Sequence, residues 1–394
     1  MSKHILCINS GSSSIKFALY RLAPVEKLLA KGAVERIGMP GGWLWLEDGN
    51  GRHLASRHGD FSDHRQAIKA TVALAVDDYR LPAPDGVGHR LVHGGPNHTS
   101  PQIVTPELLL TLRKLIPFAP LHLPSEIQGI EAVRENHPDL GQVVCFDTAF
   151  HRRMPEVAQR FPLPRSLWHE GVHRYGFHGL SYEYIVSTLG DGVRGLVVVA
   201  HLGNGASMAA LKDGHSQDTT MGFTPIGGLM MGTRSGDLDP GILVYLMDEK
   251  GYSARQFEKL LNHRSGLIGV SGMTSDMKTL LEKSSEELHA AQAVEMFCYQ
   301  ARKAVGGLSA ILGGLDALVF TGGIGEQAAP VRRLICSGLD FLGIHLDPER
   351  NEAHASIIST EDSPCTVRVI PTNESLMIAR HTRQLLFAGS EQEK

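Results

Sequence analysis

The chain has 394 residues, 42% apolar and 20% charged, which excludes whole-chain disorder and fibrous repeats. At roughly 150 residues per domain, that length suggests two or three domains. Lys and Arg total 38 against 42 Asp and Glu, a net charge of −4, and aromatics are only 6%, which argues against nucleic-acid binding, membrane-surface binding and a base-stacking platform.

The first elements are Ile5–Ile8 as a strand, Asn9-Ser10-Gly11-Ser12-Ser13-Ser14 as a tight polar loop, and Ile15–Tyr20 as a second strand. Four apolar residues are too few for a signal peptide, and no run approaches the ~20 residues of a spanning helix. A cytoplasmic location is therefore expected. Residues 62–79 repeat apolar positions at Ile68, Val72, Ala75/Val76 and Tyr79, which is helical spacing. Short apolar runs follow at Val143–Phe146, Leu196–Ala200, Ala317–Phe320 and Val367–Ile370, each closed by polar or Gly-rich sequence. They read as buried strands, and the helical segments between them predict an α/β protein. The longest predicted helix covers 285–312, with Leu288, Ala291, Val294, Cys298, Ala301, Val305, Leu308 and Leu312 at 3–4 spacing. A last helix over 374–388 suits either half of the chain. The tail GSEQEK is expected to fray. Cys7, Cys145, Cys298, Cys336 and Cys365 form no CxxC and read as reduced, packed thiols.

INSGSSSIKFAL (8–19) echoes HLGNGASMAAL (201–211). Both read as strand, Gly/Ser/Asn loop, strand. A hairpin repeated half a chain apart suggests a duplicated α/β domain with a cleft between the copies.

Two motif matches are weak. His169-Glu170-Gly171-Val172-His173 is a literal H-E-x-x-H, the zinc-helix pattern. Three nearby glycines and the lack of an amphipathic helix favour coincidence, because ten of the 20 histidines lie between His89 and His201. Gly323-Ile324-Gly325-Glu326-Gln327-Ala328 fits G-x-G-x-x-A after a strand. Its late position suits a nucleotide-contacting turn, with a plain structural turn as the alternative. There is no Gly-Lys dipeptide, hence no P-loop, and no G-x-S-x-G elbow.

The stronger pattern is a set of Gly/Ser/Asn loops after buried strands: 9–14, 201–207, 232–237 and 321–326. Such loops turn backbone N–H groups toward one point and bind anions. Arg90 in GHRLVHGG and Arg234 in MGTRSGDLDPG sit in similar loops. A guanidinium suits a carboxylate or phosphate, with surface ion pairing as the alternative. Asp147 and Glu374 each follow a strand end, where catalytic or metal-binding carboxylates sit, with helix capping as the alternative. A polyphosphate, two arginines and two carboxylates together imply Mg²⁺-dependent phosphoryl transfer.

These motifs resemble the acetokinase family, also called the acetate kinase family. ILCINSGSSSIK (5–16) and GFTPIGGLMMGTRSGDLDPG (222–241) are similar to its two signatures. GHRLVHGG, FAPLH, CFDTAFH, RYGFHG, HLGNGAS, FTGGIGE and TNES follow in the family's order, over about residues 5 to 387. The resemblance implies an α/β fold of duplicated actin-like, sugar-kinase-like (ribonuclease H-like) domains flanking a nucleotide cleft. The implied domains are 1–149 plus about 376–394, and 150–375 as the nucleotide-binding one. The implied reaction is ATP plus acetate giving ADP plus acetyl phosphate, reversibly, by direct in-line transfer. Mg²⁺ would serve, with Mn²⁺ as an alternative. The implied assembly is a homodimer without nucleic-acid or membrane partners.

The resemblance also implies roles. Asn9 and Glu374 would position the metal, and Ser12, Ser14 and Lys16 would line the phosphate loop. Arg90 and Arg234 would hold the acetate carboxylate and the moving phosphoryl group, with Asp147 orienting the set. His178 would stabilise the transition-state charge. His122, His201, Leu202, Gly203, Asn204 and Gly205 would contact or orient phosphates. Asp276, Met277, Lys278, Gly322, Gly323, Ile324, Gly325 and Glu326 would hold the adenosine part. Val92, Leu121, Phe177 and Pro225 would enclose the methyl group. The alternative functions are a propionate or other short-chain acyl kinase, and a non-catalytic ATP sensor. Leu123, Leu180, Tyr182 and Lys278 stand where the family usually has Asn, Thr, His and Arg.

Overall fold

The computed structural model describes residues 2–190 and 195–388. The tail GSEQEK lies outside the described residues. The chain forms two compact units, Met1–Phe150 with Asn373–Lys394, and His151–Thr372.

The first unit is built on an eight-stranded sheet of order β5-β4-β3-β2-β1-β6-β8-β7. Its strands are β1 (Lys3–Ser10), β2 (Ser14–Leu22), β3 (Lys27–Glu35), β4 (Gly42–Asp48), β5 (His53–Gly59), β6 (Gly86–Leu91), β7 (Gln102–Ile103) and β8 (Gln142–Phe146). The expected opening hairpin is present, with β1 and β2 antiparallel and joined by only residues 11–13. Asn9, Ser10 and Ser14 are thus strand residues rather than loop residues, with Gly11 N–H closing the turn on Ser14 O at 2.7 Å, and Lys16 lies on β2 as expected. Arg90 likewise lies on β6 and not in a loop. Strands β3 to β5 carried no signal singled out above.

Side chains alternate along β1, as a pleated strand requires. Leu6 and Ile8 join the core with Ala67 and Ile68 of the helix His64–Val72 and Ala132 and Val133 of the helix Leu123–Asn136. The helix over 62–79 is thus present, its last part continuing as a π-helical segment, Ala73–Asp78. Cys7 points the other way, its Sγ 3.1 Å from Ser375 O on the C-terminal helix Glu374–Phe387. That helix packs on the first unit. Gly88 permits its close approach, since an added Cβ would lie 2.3 Å from Thr382 Oγ1.

The second unit has a five-stranded sheet, β11-β10-β9-β12-β13. Its strands are β9 (Leu196–Leu202), β10 (Ala206–Lys212), β11 (His215–Thr219), β12 (Ala317–Thr321) and β13 (Thr366–Val369). β9, β10 and β11 are antiparallel in succession, whereas β9, β12 and β13 run parallel. The first sheet has the same order in β3-β2-β1-β6-β8, with the same directions. The repeated hairpin thus marks a duplicated architecture, as expected. The long helix runs Leu288–Leu312 and buries Val294, Phe297, Cys298, Ala301, Val305 and Leu308. Leu288 is 69% exposed and does not belong to that face.

Two loop expectations are corrected. Residues 232–237 do not follow a strand; they lie in the long connection between β11 and the helix Pro240–Lys250. Backbone and side-chain bonds such as Asp237 Oδ1 accepting from Gly228 N–H fold that connection on itself. Residues 322–326 are not a turn but most of a helix, Gly322–Gln327, that starts directly after β12. All five cysteines are free thiols and buried. No helix among the described residues is long and apolar enough to cross a membrane.

Candidate active site

The sequence-predicted residues fall into two clusters, one in each unit. In the first, parallel pairing of β1, β6 and β8 sets Asn9, Arg90 and Asp147 at the carboxyl ends of adjacent strands. Open α/β sheets bind ligands at those ends. Asp147 is fully buried and takes Arg90 in a fork, Nε to Oδ1 at 3.1 Å and Nη2 to Oδ2. Arg90 Nη1 donates to Asn9 Oδ1 at 3.3 Å, and Glu374 Oε2 lies 3.8 Å from Nε. Burial works against the guanidinium charge, but Asp147 and Glu374 outweigh it and hold Arg90 protonated above its ordinary range.

Glu374 is not at a strand end; it is the first residue of its helix, behind the cap Asn373. Asn373 Oδ1 accepts from Leu376 N–H and from Tyr20 OH, which fixes this helix start on β2. Lys16 pairs with Asn9 across the hairpin, so both face the same side. His64, which sequence reasoning missed, holds the loop through its Nε2 against Gly11 O at 2.7 Å. Ser12 is exposed and Ser14 half-buried.

Val92 is buried directly after β6, and its N–H donates to both carboxyl oxygens of Glu126 at 3.1 and 3.2 Å. Glu126 was also missed. Burial pushes its carboxyl up to about 8, against the pull of Arg90. It sits in the first turn of the helix capped by His122, next to half-buried Leu121. Leu123, a departure from the family pattern, is fully buried in that helix.

In the second unit, His178 has a left-handed backbone, φ 57°, at the start of the helix Gly179–Leu189. Such non-glycine outliers cost about 1–3 kcal/mol and concentrate at functional sites. Its ring stacks on His201, with centroids 4.2 Å apart. His178 Nδ1 meets Ser207 Oγ at 2.9 Å, and His201 Nδ1 meets Ser181 Oγ at 2.8 Å. Arg234 Nη1 donates to Pro225 O at 3.1 Å. The turn Gly203–Gly205 between β9 and β10 comes close to both groups. A Cβ on Gly205 would lie 3.2 Å from His178 Nε2 and 3.6 Å from Arg234 Nη1. Asn204 O accepts from Gly232 N–H at 3.0 Å, and Gly203 faces Gly323 N. The Gly203–Gly205 turn, the Gly232 segment and the start of the helix Gly322–Gln327 therefore meet within the unit.

Phe177 is buried, and its carbonyl meets His151 Nε2 at 3.1 Å. Burial holds His151 neutral, with its pKa near 4. Ile324 and Leu202 lie on the elements flanking this region; Glu326 Oε1 accepts from Gly322 N–H and from Thr372 N–H. Gly325 O accepts from Arg332 Nη1 at 2.9 Å. Asp276 caps the helix Met277–Lys283, its carboxylate accepting from Thr279 N–H at 2.9 Å. Met277 is buried in the core, while Lys278 is exposed. Of the other departures, Leu180 and Tyr182 are buried. No group of three or more His, Cys, Asp or Glu side chains among the described residues could hold a metal ion, so the H-E-x-x-H match forms no zinc site there.

The acetokinase family model matches residues 4–380. The acetate kinase of Rhodopseudomonas palustris is 48% identical over 402 residues, covering 99% of this chain and 100% of that protein. The acetate kinase of Methylocella silvestris is 46% identical, covering 98% of each. Among solved structures, the acetate kinase of Porphyromonas gingivalis superposes with a TM-score of 0.90 at 39% identity, covering 98% of this chain and 100% of that one. A propionate kinase from Francisella tularensis superposes at 0.92 with 36% identity, covering 97% and 99%. With this sheet order, these strand-end clusters and a match along nearly its whole length, the chain belongs to the acetokinase family.

Proposed function

We propose that this protein is an acetate kinase, transferring the γ-phosphoryl group of ATP to acetate and back. The Arg90 cluster carries the reading. Three of the five guanidinium N–H donors are engaged by Asp147 and Asn9. Two remain for the oxygens of a substrate carboxylate or phosphoryl group, held at fixed direction. One acetate oxygen attacks Pγ as the bond from Pγ to the β-bridging oxygen breaks, and ADP leaves with that electron pair. The charge spreads over the phosphoryl oxygens, and we assign its stabilisation to Arg90, Arg234 and His178 as donors. We assign recognition of the methyl group to the apolar side chains of Val92, Leu121, Phe177 and Pro225. An apolar wall discriminates one methylene by only about 1–3 kcal/mol, so propionate is a slower substrate rather than an excluded one.

Asn9 and Glu374 offer a carbonyl and a carboxylate oxygen, the hard donors that Mg²⁺ takes when phosphates and water complete its shell. Bound there, Mg²⁺ would neutralise charge on the nucleotide phosphates. Ser12, Ser14, Lys16, His122, His201 and the 202–205 turn serve the phosphates. Asp276, Met277, Lys278 and residues 322–326 serve the adenosine, so the second unit is the nucleotide-binding domain. We assign the protein to the cytoplasm, in keeping with its five free thiols.

The test is ATP formation from ADP and Mg²⁺ with acetyl phosphate or propionyl phosphate. Faster turnover of acetyl phosphate is expected. The reverse order would move the substrate to propionate, and no turnover of either would overturn the reading.

The homodimer has its own support. The helix Pro240–Lys250 buries none of its residues, yet carries Ile242, Val244, Tyr245 and Met247 at 44 to 55% exposure. A helix with exposed apolar side chains all round suits burial at an association site. We assign it to a second copy of the chain. Sedimentation should show a dimer for the wild type and a monomer for Val244→Glu with Met247→Lys. A variant that still sediments as a dimer would remove this helix from the interface.

A further inference from the structure

Tyr182 stands where the family pattern expects histidine, and its surroundings give it a task. It lies one turn after His178 in the same helix, with its N–H on His178 O at 3.1 Å. Its hydroxyl is 2.5 Å from Ser207 Oγ, and that oxygen is 2.9 Å from His178 Nδ1. Tyr182 and Ser207 are both fully buried. The tyrosine ring also packs edge-on against His151.

Proton counting decides the direction of this chain. A phenol is a far stronger acid than an alcohol, and its oxygen is a poorer acceptor. In a short phenol–alcohol pair, the phenol donates. Burial pushes the Tyr182 hydroxyl well above its ordinary range, so it keeps its proton. Ser207 has one proton of its own. With Tyr182 donating to Ser207 Oγ, that proton points at His178 Nδ1. A neutral imidazole accepting at Nδ1 carries its hydrogen on Nε2. Nε2 lies beside the Gly203–Gly205 turn, 3.2 Å from where a Cβ on Gly205 would be. In this tautomer the ring offers an N–H donor there. The opposite tautomer would present a lone pair to an anion and repel it.

We propose that Tyr182 is a positioning residue: through Ser207 it holds His178 in the Nε2–H tautomer, ready to donate to the transferring phosphoryl oxygens. The assignment of the anion rests on the acyl-kinase reading above; the tautomer does not. His201 repeats the design, since its Nδ1 meets Ser181 Oγ, which meets Thr372 Oγ1 at 2.8 Å. The stack of the two rings sets the plane of His178, and the hydroxyl chain sets its proton.

The test uses ¹⁵N-labelled full-length protein and long-range ¹H–¹⁵N spectra of the histidine rings, with His178→Gln to assign the signals. The wild type should show His178 protonated on Nε2. In Tyr182→Phe, Ser207 can accept instead of donate, and an Nδ1–H population should appear. Ser207→Ala, a second route to the same loss, should also release the tautomer. In Tyr182→Phe, kcat should fall by about tenfold, less than the loss of a whole oxyanion donor. KM for ATP and acetate should stay within about threefold, because the ring packing is kept. A wild-type His178 carrying its proton on Nδ1 would overturn the proposal. So would a tautomer unchanged in both variants. If the wild type lacks acyl-kinase activity yet the tautomer moves as described, the relay stands and the functional reading falls.

Discussion

Arg90→Ala is expected to lower kcat for acetyl phosphate formation by about 10²-fold or more, the scale of losing one preorganised transition-state donor. The side chain is held by Asp147, Asn9 and Glu374 before any substrate arrives, so its donors need no reorganisation. Removing it has a second consequence. Asp147 is fully buried, and breaking a buried pair from one side costs about 3–5 kcal/mol. Kinetics and thermal melting should therefore be read together. Arg90→Lys keeps the charge but loses the fork that matches two carboxylate oxygens. It should recover more stability than activity. A kcat unchanged in Arg90→Ala would remove the residue from the chemistry.

The largest stability effect is expected at Arg332, which no sequence argument singled out. It lies in the helix Ala329–Cys336 with no exposed surface. Nη1 donates to Gly325 O and Glu326 O, both at 2.9 Å, at the end of the helix Gly322–Gln327. Nε and Nη2 bond the side chain and carbonyl of Asn351, and Nη2 also meets His354 Nδ1. Burial lowers the guanidinium from its ordinary range, and these carbonyls sustain its charge. Arg332→Met would leave several buried acceptors unpaired, at about 1–3 kcal/mol for each one that water cannot reach. A loss of about 3–5 kcal/mol follows, or a melting point lower by roughly 6–20 °C for a unit of this size. Because two of those carbonyls end the helix Gly322–Gln327, KM for ATP should rise as well. A melting temperature within about 2 °C of the wild type would show that these bonds are replaced by water.

The amino-acid order alone was informative wherever a local rule decides. Gly11 to Ser13 turn one strand into the next because small and polar residues tolerate a tight turn, and the same chemistry recurs at Gly203–Gly205. Asp147 follows an apolar run, which places it at a strand end. The 3–4 spacing from Val294 to Leu308 marks the face of one helix that meets the sheet. Strands β3 to β5 were less legible, since they alternate apolar and polar residues with glycines and charges between.

Tertiary structure decided which of these pieces meet. Asn9 and Arg90 are 81 residues apart, and Arg90 and Asp147 are 57 apart. Only the parallel register of β1, β6 and β8 brings them into hydrogen-bond range. Glu374 joins them because Gly88 lets a helix from the far end of the chain lie against β6. Tyr182 looks like a mere departure in a motif until β10 brings Ser207 against it and His178. Glu126 and Arg332 become legible only when burial removes water and every partner must come from the protein. Local sequence determines turns, faces and strand ends through short-range sterics and hydrophobic periodicity. Strand register and close helix approach decide which charges share a site, because hydrogen-bond and Coulomb energies depend on distances that only the folded chain sets.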